Sequence, residues 1–235
     1  MIEPRAVDPS PGFVLFGTGH LAILFALTLA AVGLVLGRRS SARRNDRRVR
    51  QLLAALLAGN ELFSWVIAAV QGQMRIPLQL CDVALWLIVW ALLGGGRPAR
   101  ELAYFWGVAG SVQAVLTPDV RAALTSYWTV KFFLGHGGII LSAVYLAVTG
   151  RIRPTHRSVW LAWGWTNVYA VTVGYLNGLF GTNYGFLAHK PTQPSLLDYF
   201  GPWPYYILVM EVAALLSFYL CYAPFALRRR PIRRR

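Results

Sequence analysis

Apolar residues gather into seven runs, at about 13–36, 51–70, 77–93, 102–117, 128–149, 159–180 and 203–226, separated by short polar or Gly/Pro-rich breaks. Runs of this length with few charges read as transmembrane helices, because a hydrocarbon core of about 30 Å takes about 20 helical residues. The third and fourth runs are short, at 17 and 16 residues, so their ends are the least defined. Pro77, Pro118, Pro202 and Pro204 stand at run edges, where a residue lacking an N–H starts or stops a helix. Pro224 is expected to kink the last turn of the seventh run. The pattern predicts an all-α, polytopic seven-helix bundle. It reads as a single transmembrane domain over 1–235, with no length left for a second folded module.

Charge then orients the bundle. Loop 37–50 carries seven arginines, loop 94–101 two, loop 150–158 three, and the tail after Leu227 six. The alternate loops hold Arg5, Arg75, Arg121 and Lys190, which makes 18 against 4, with Lys131 left inside the fifth run. Positive-inside reasoning places the N-terminus outside and the C-terminus in the cytoplasm. The net charge of +14, nearly all of it arginine, sits in short clusters between apolar runs. That distribution points to anionic lipid headgroups as the counter-charge and away from nucleic acid. The arginine bias and the wealth of Ala, Leu and Gly suggest a GC-rich bacterial source, hence a bacterial inner membrane.

Several chemistries lack their residues. Cys81 and Cys221 both lie in apolar runs and form neither a metal set nor a disulfide framework. His20, His136, His156 and His189 are scattered without ligand spacing, and the triple glycine at 94–96 has no P-loop Lys-Ser/Thr after it. No metal or soluble cofactor is implied. The loop at 181–202 is rich in Gly, Pro and Asn, which argues against a regular element. It is apolar enough to lie along the membrane or to fold back over the bundle as a lid.

Polar residues inside apolar runs carry the functional signal, since each is costly in hydrocarbon unless it pairs or faces a cavity. They include His20, Asn60, Glu61, Gln79, Cys81, Asp82, Gln113, Lys131, His136, Asn167, Asn177 and Glu211. With the predicted topology, most of them fall between the outer surface and the midplane, which suggests a polar cavity open outward. Cys81 is the one strong nucleophile, and a nearby imidazole would take its proton for acyl transfer. His136 has a similar predicted depth and is bracketed by Gly135, Gly137 and Gly138, whose missing side chains allow close helix approach or substrate passage. Asp82 is expected to pair with Lys131 or to orient His136, with Glu61 or Glu211 filling the remaining role. His20 reads as interfacial or as a cavity residue. Asn177 is interhelical glue or, with Gln79 and Asn183, a donor to an oxyanion.

The stretches PLQLCD at 77–82, FFLGHGG at 132–138 and TNYGFL at 182–187 together resemble the bacterial YwaF-type integral membrane family, to which vertebrate transmembrane protein 164 is distantly similar. The resemblance runs from GTGH at 17–20 to the last span. It implies cysteine-dependent acyl transfer on phospholipid, with Cys81 as nucleophile and His136 as its partner. Gln79 departs from the histidine expected in the vertebrate relative's stretch, so lipid preference does not carry over. The expected reaction is attack of the Cys81 thiolate on a phospholipid ester, giving a thioester that a lysophospholipid or water resolves. The alternative expectation is a heptahelical transporter or small-ligand-binding protein built on the buried carboxylates and Lys131.

Overall fold

A computed structural model describes residues 12–37, 45–191 and 195–228. The helices are α1 (Thr18–Gly37), α2 (Asp46–Val70), α3 (Leu80–Leu93), α4 (Arg97–Phe105), α5 (Ser111–Leu116), α6 (Tyr127–Val148), α7 (His156–Phe180) and α8 (Tyr205–Arg228). A π-helical turn at Trp106–Gly110 joins α4 to α5 without a break, so these two helices fill the fourth apolar run. Among the described residues four helices are long and apolar enough to cross a membrane: Thr18–Gly37, Asp46–Val70, Tyr127–Val148 and Tyr205–Leu227. Their outward faces carry exposed large side chains such as Phe25, Leu29, Leu56, Leu134 and Leu216. The chain is a multi-pass, all-α membrane protein. Arg5, Arg38, Arg39, Arg43, Arg44 and the arginines at 229–235 lie outside the described residues.

Several boundaries differ from the apolar runs for local reasons. α1 begins at Thr18, because Phe16 takes a left-handed φ of 56° and breaks the chain direction before it. α2 begins at Asp46, five residues before its apolar run, since Asp46 in its first turn accepts from Arg50 one turn on. α3 begins at Leu80 because Gln79 and Asp82 form a capping box there. It ends at Gly94, whose φ of 113° is open to glycine and strained for other residues. α8 continues through Pro224 instead of ending near it. The loop after α7 also corrects the expectation of no regular element, with 3₁₀ turns at Tyr184–Phe186 and Leu196–Phe200.

α3 and α6 form the centre. α3 packs on α2, α4 and α6, while α6 also meets α1 and α5, and α7 with α8 joins through α4 and the π turn. Ile88, Leu92, Phe105, Ala143, Leu146, Ile152 and Val159 are fully or almost fully buried in one continuous core. At one end of this core the Asp46 carboxylate ties three elements together. It accepts from Arg50 Nε at 3.0 Å, Arg151 Nη2 at 2.5 Å and Tyr145 Oη at 3.1 Å. Arg50 also donates to Leu92 O, so α2 satisfies the last turn of α3. Replacing Asp46 with Ala would strand these donors. We expect a loss of about 2–3 kcal/mol, below the full buried-pair cost because Arg151 is half exposed, read as a lowered unfolding midpoint in detergent.

Candidate functional site

The site begins at the first turn of α3. The main chain turns tightly at Pro77, where Leu78 N–H donates to Ile76 O at 2.9 Å, and Leu78 O accepts a hydrogen bond from Tyr169 Oη at 2.8 Å. Gln79 is the N-cap, and its N–H donates to Asp82 Oδ2 at 3.1 Å. Cys81 therefore sits at the second helical position, half-buried, where the unpaired N–H groups of the helix start point. The Asp82 carboxylate and the Lys131 ammonium both reach its sulfur electrostatically. The loop after α7 closes over this end. Gly185 N–H donates to Gln79 Oε1 at 2.9 Å, and Tyr206 Oη donates to Phe186 O at 2.5 Å. The loop folds back on the bundle instead of spreading along its rim.

Beside α3 lies an ion pair between helices. Lys131 Nζ on α6 is 2.7 Å from Glu61 Oε2 on α2, and the Glu61 side chain is only 4% exposed. Trp65, one turn after Glu61, donates its indole N–H to the other carboxylate oxygen at 3.0 Å. Asn60 Nδ2 donates to Lys131 O at 3.4 Å and adds a second tie between α2 and α6. The expectation that Asp82 pairs with Lys131 is therefore corrected. Asp82 spends its carboxylate on its own helix start, and the ammonium binds Glu61. Lys131 and Glu61 remain in electrostatic range of Asp82.

His136 stands one turn further along α6, buried, its ring 4.1 Å from that of Phe132. Its Nδ1 lies 2.9 Å from Phe132 O. A carbonyl can only accept, so Nδ1 carries the proton, and a neutral ring presents Nε2 as the basic nitrogen. Phe132 O, not Asp82, orients the ring. Lys131 acts electrostatically on Cys81, Asp82 and His136, and Glu61 on Asp82 and His136. Among the described residues no hydrogen bond joins Cys81 to His136. The glycines beside the imidazole serve close approach: side chains built at Gly137 and Gly138 would meet Leu27 at 2.7 Å and Leu57 at 2.8 Å.

A family model described as the TMEM164 family matches residues 15–222, from the turn before α1 to near the end of α8. The chain belongs to the TMEM164 family. No curated protein and no solved structure matches it.

In this TMEM164-family chain the remaining candidate residues hold structure outside the cluster. His20 is fully buried, with Nδ1 accepting from Phe16 N–H at 3.0 Å and Nε2 donating to Val115 O at 2.8 Å, so both ring nitrogens are engaged. It is neither interfacial nor a cavity group. Asn177 clamps the loop through Tyr184 N–H, Tyr184 O and Thr182 Oγ1. Asn183 holds Ala188 and His189 in the same loop. Asn183 Nδ2 turns both of its N–H groups toward His189, whereas Asn177 Nδ2 spends one on Tyr184 O. Glu211 accepts from Asn167 Nδ2 at 2.9 Å, between α7 and α8. Among the described residues no group of three or more His, Cys, Asp and Glu side chains is placed to hold a metal.

The structure adds residues that the sequence reading passed over. Trp65 and Tyr169 lie inside the second and sixth apolar runs, where a large aromatic side chain does not stand out from its neighbours. Tyr127 is one turn before Lys131, and its hydroxyl is buried with no hydrogen-bond partner among the described residues. It feels the charges of Lys131 and Glu61. Spacing of four residues from Glu61 to Trp65 and from Tyr127 to Lys131 was the available signal. Substituting Lys131→Met leaves the buried Glu61 uncompensated and should cost about 3–5 kcal/mol. The double variant Lys131→Met/Glu61→Gln should recover most of it, as measured by unfolding in mixed micelles.

Proposed function

We propose that this TMEM164-family chain is a membrane-embedded enzyme transferring or hydrolysing phospholipid acyl groups, with Cys81 as the nucleophile. The observation that carries this reading is the placement of Cys81 at a capped helix start, in the same buried polar cluster as a His136 whose Nε2 faces the role of base. His136 Nε2 takes the thiol proton, and the sulfur attacks the ester carbonyl. Collapse of the tetrahedral adduct breaks the C–O bond, leaving a Cys81 thioester, and His136 returns the proton to the departing lysophospholipid oxygen. An acceptor hydroxyl or water then repeats the steps in reverse. Tyr127, with its unpaired hydroxyl, is a donor within reach of this cluster and joins Gln79 as a candidate partner for the oxyanion. The reading requires Cys81 and His136 to approach, because no hydrogen bond joins them here.

The wider setting belongs to the same proposal. Seven helical segments, counting α4 through α5 as one, coincide with the seven apolar runs, which supports seven spans with the N-terminus outside. The Cys81 end would then face outward. The likeness of PLQLCD, FFLGHGG and TNYGFL to YwaF-type proteins supports a bacterial inner-membrane setting.

A second reading is favoured by a specific observation. The tightest contact of the cluster is the Lys131–Glu61 pair, with Asp82 alongside, and on contacts alone a transported or bound small solute has better support than acyl transfer. The two separate cleanly. Mass spectrometry of the purified protein after incubation with membrane phospholipids should show an acyl adduct on Cys81, absent in Cys81→Ala and discharged by lysophospholipid. Absence of any adduct across a broad donor panel would overturn the first reading. The second predicts solute flux or binding in proteoliposomes that Glu61→Gln and Asp82→Asn abolish and Cys81→Ala leaves intact.

A further inference from the structure

At the opposite end of the bundle from Cys81, the start of α4 and the α6–α7 turn border an open cavity of about 450 Å³ lined by Arg97, Arg100, Gly150, Arg151 and Arg153. Four guanidinium groups from these two segments converge with no carboxylate among the lining residues. Like charges gathered in this way repel, so the arrangement needs a reason. Part of it is visible behind the wall. The buried Glu101 carboxylate accepts from Arg97 Nε at 2.8 Å and from Ser158 Oγ at 2.7 Å, while Asp46 holds Arg151 at 2.5 Å. Two of the four guanidiniums are thus fixed from behind by buried acids, which orients them without filling the cavity. Neither Arg100 nor Arg153 has an ion pair among the described residues, and Arg100 Nε is a buried donor with no hydrogen-bond partner there. An unpaired buried N–H costs free energy that a ligand would recover.

We infer that this four-arginine cavity is a binding site for a phosphate ester, separate from the Cys81 cluster. Guanidinium forks match phosphate oxygens in pairs, and several around one cavity suit a group with two or more anionic or acceptor oxygens. The volume lies within the range of small-molecule sites, about 300–1,000 Å³, so it takes an esterified phosphate with its attached glycerol. α4 starts at the same wall: Arg97 is its first residue, and the Arg97 and Ala99 N–H groups precede any intrahelical partner. α3 alone, at 14 residues, separates this end from Cys81 by about 20 Å. The site is more than a diffuse attraction of basic loops to a charged surface, because it predicts one saturable ligand per chain. The phosphate ester comes either from an anionic phospholipid headgroup or from a soluble compound.

Binding to the full-length protein in neutral detergent tests this with dioctanoyl phosphatidylglycerol, glycerol 3-phosphate and zwitterionic dioctanoyl phosphatidylcholine as probes. Saturable binding of either anionic probe should weaken about tenfold in Arg100→Gln/Arg153→Gln, since each lost guanidinium removes a charge-assisted pair. It should persist in Arg47→Gln/Arg48→Gln, which removes two exposed arginines at the same end of the bundle, outside the cavity. Binding of the lipid alone assigns a headgroup site, and binding of glycerol 3-phosphate assigns a soluble ligand. Should the double variant fail to fold, Arg153→Gln carries the test, because Arg153 is exposed and makes no ion pair among the described residues. No saturable binding of either anionic probe, equal binding of the zwitterion, or equal loss in both double variants would overturn the inference. Cys81→Ala should bind as the parent does, so the outcome is independent of the thioester reading.

Discussion

α3 is a 14-residue apolar helix, about 21 Å long, in a protein whose neighbouring helices are long enough to cross a hydrocarbon core of about 30 Å. A helix end leaves several backbone groups unpaired, and beside hydrocarbon water is a poor partner for them. The protein has to satisfy them itself. At the far end it uses Gly94 and the Arg50 guanidinium on Leu92 O. At the near end it uses the Gln79–Asp82 capping box, Tyr169 on Leu78 O, and a loop that returns from α7 to bond Gln79. The short central helix is what draws polar groups into the bundle.

The polar cluster follows from that demand. Asp82 serves the start of α3, and the charges of Glu61 and Lys131 both reach it, in opposite senses. Lys131 cannot stand alone, so Glu61 on α2 neutralises it at 2.7 Å and Trp65 fills the remaining carboxylate oxygen. A buried pair of this kind costs desolvation and adds little net stability. Its retention at the junction of α2, α3 and α6 argues for a role beyond holding helices together. That role is either setting the electrostatics around Cys81 and His136 or meeting a charged solute directly. The same geometry serves both chemistries, and the difference lies in whether the sulfur reacts.

Much of the fold could be read before any coordinates. Hydropathy located each helix, because burial in lipid demands long apolar runs whatever the neighbours are. Helix starts were less legible: the polar first turn of α2 is helical through Asp46 and Arg50, a tie that a hydropathy scan discounts. Cys81 and His136 stood out as chemistry in hydrocarbon, and the Lys131 charge reaches both, but no hydrogen bond joins them among the described residues. Pairing was not legible. Glu61 and Asp82 were both plausible partners for Lys131, and choosing between them depends on how α2 and α3 rotate about their axes, which spacing within one helix does not determine. His20 and Asn177 looked like site residues because a buried polar side chain has the same sequence signature whether it meets a ligand or a backbone carbonyl.

The two ends of the bundle solve one problem in different ways. At the Cys81 end the charges are balanced inside the protein, with Lys131 against Glu61 and Asp82 against the helix start. At the arginine end Asp46 and Glu101 are outnumbered by Arg50, Arg97, Arg100, Arg151 and Arg153, so balance has to come from outside the chain. The same excess that orients the protein by its basic loops thus leaves, where the start of α4 meets the α6–α7 turn, a cavity with positive walls. α3 and α6 run from one end to the other as rigid helices packed on each other. A ligand drawn to the arginine cavity would brace the C-terminal ends of both helices whose N-terminal halves carry Cys81 and His136.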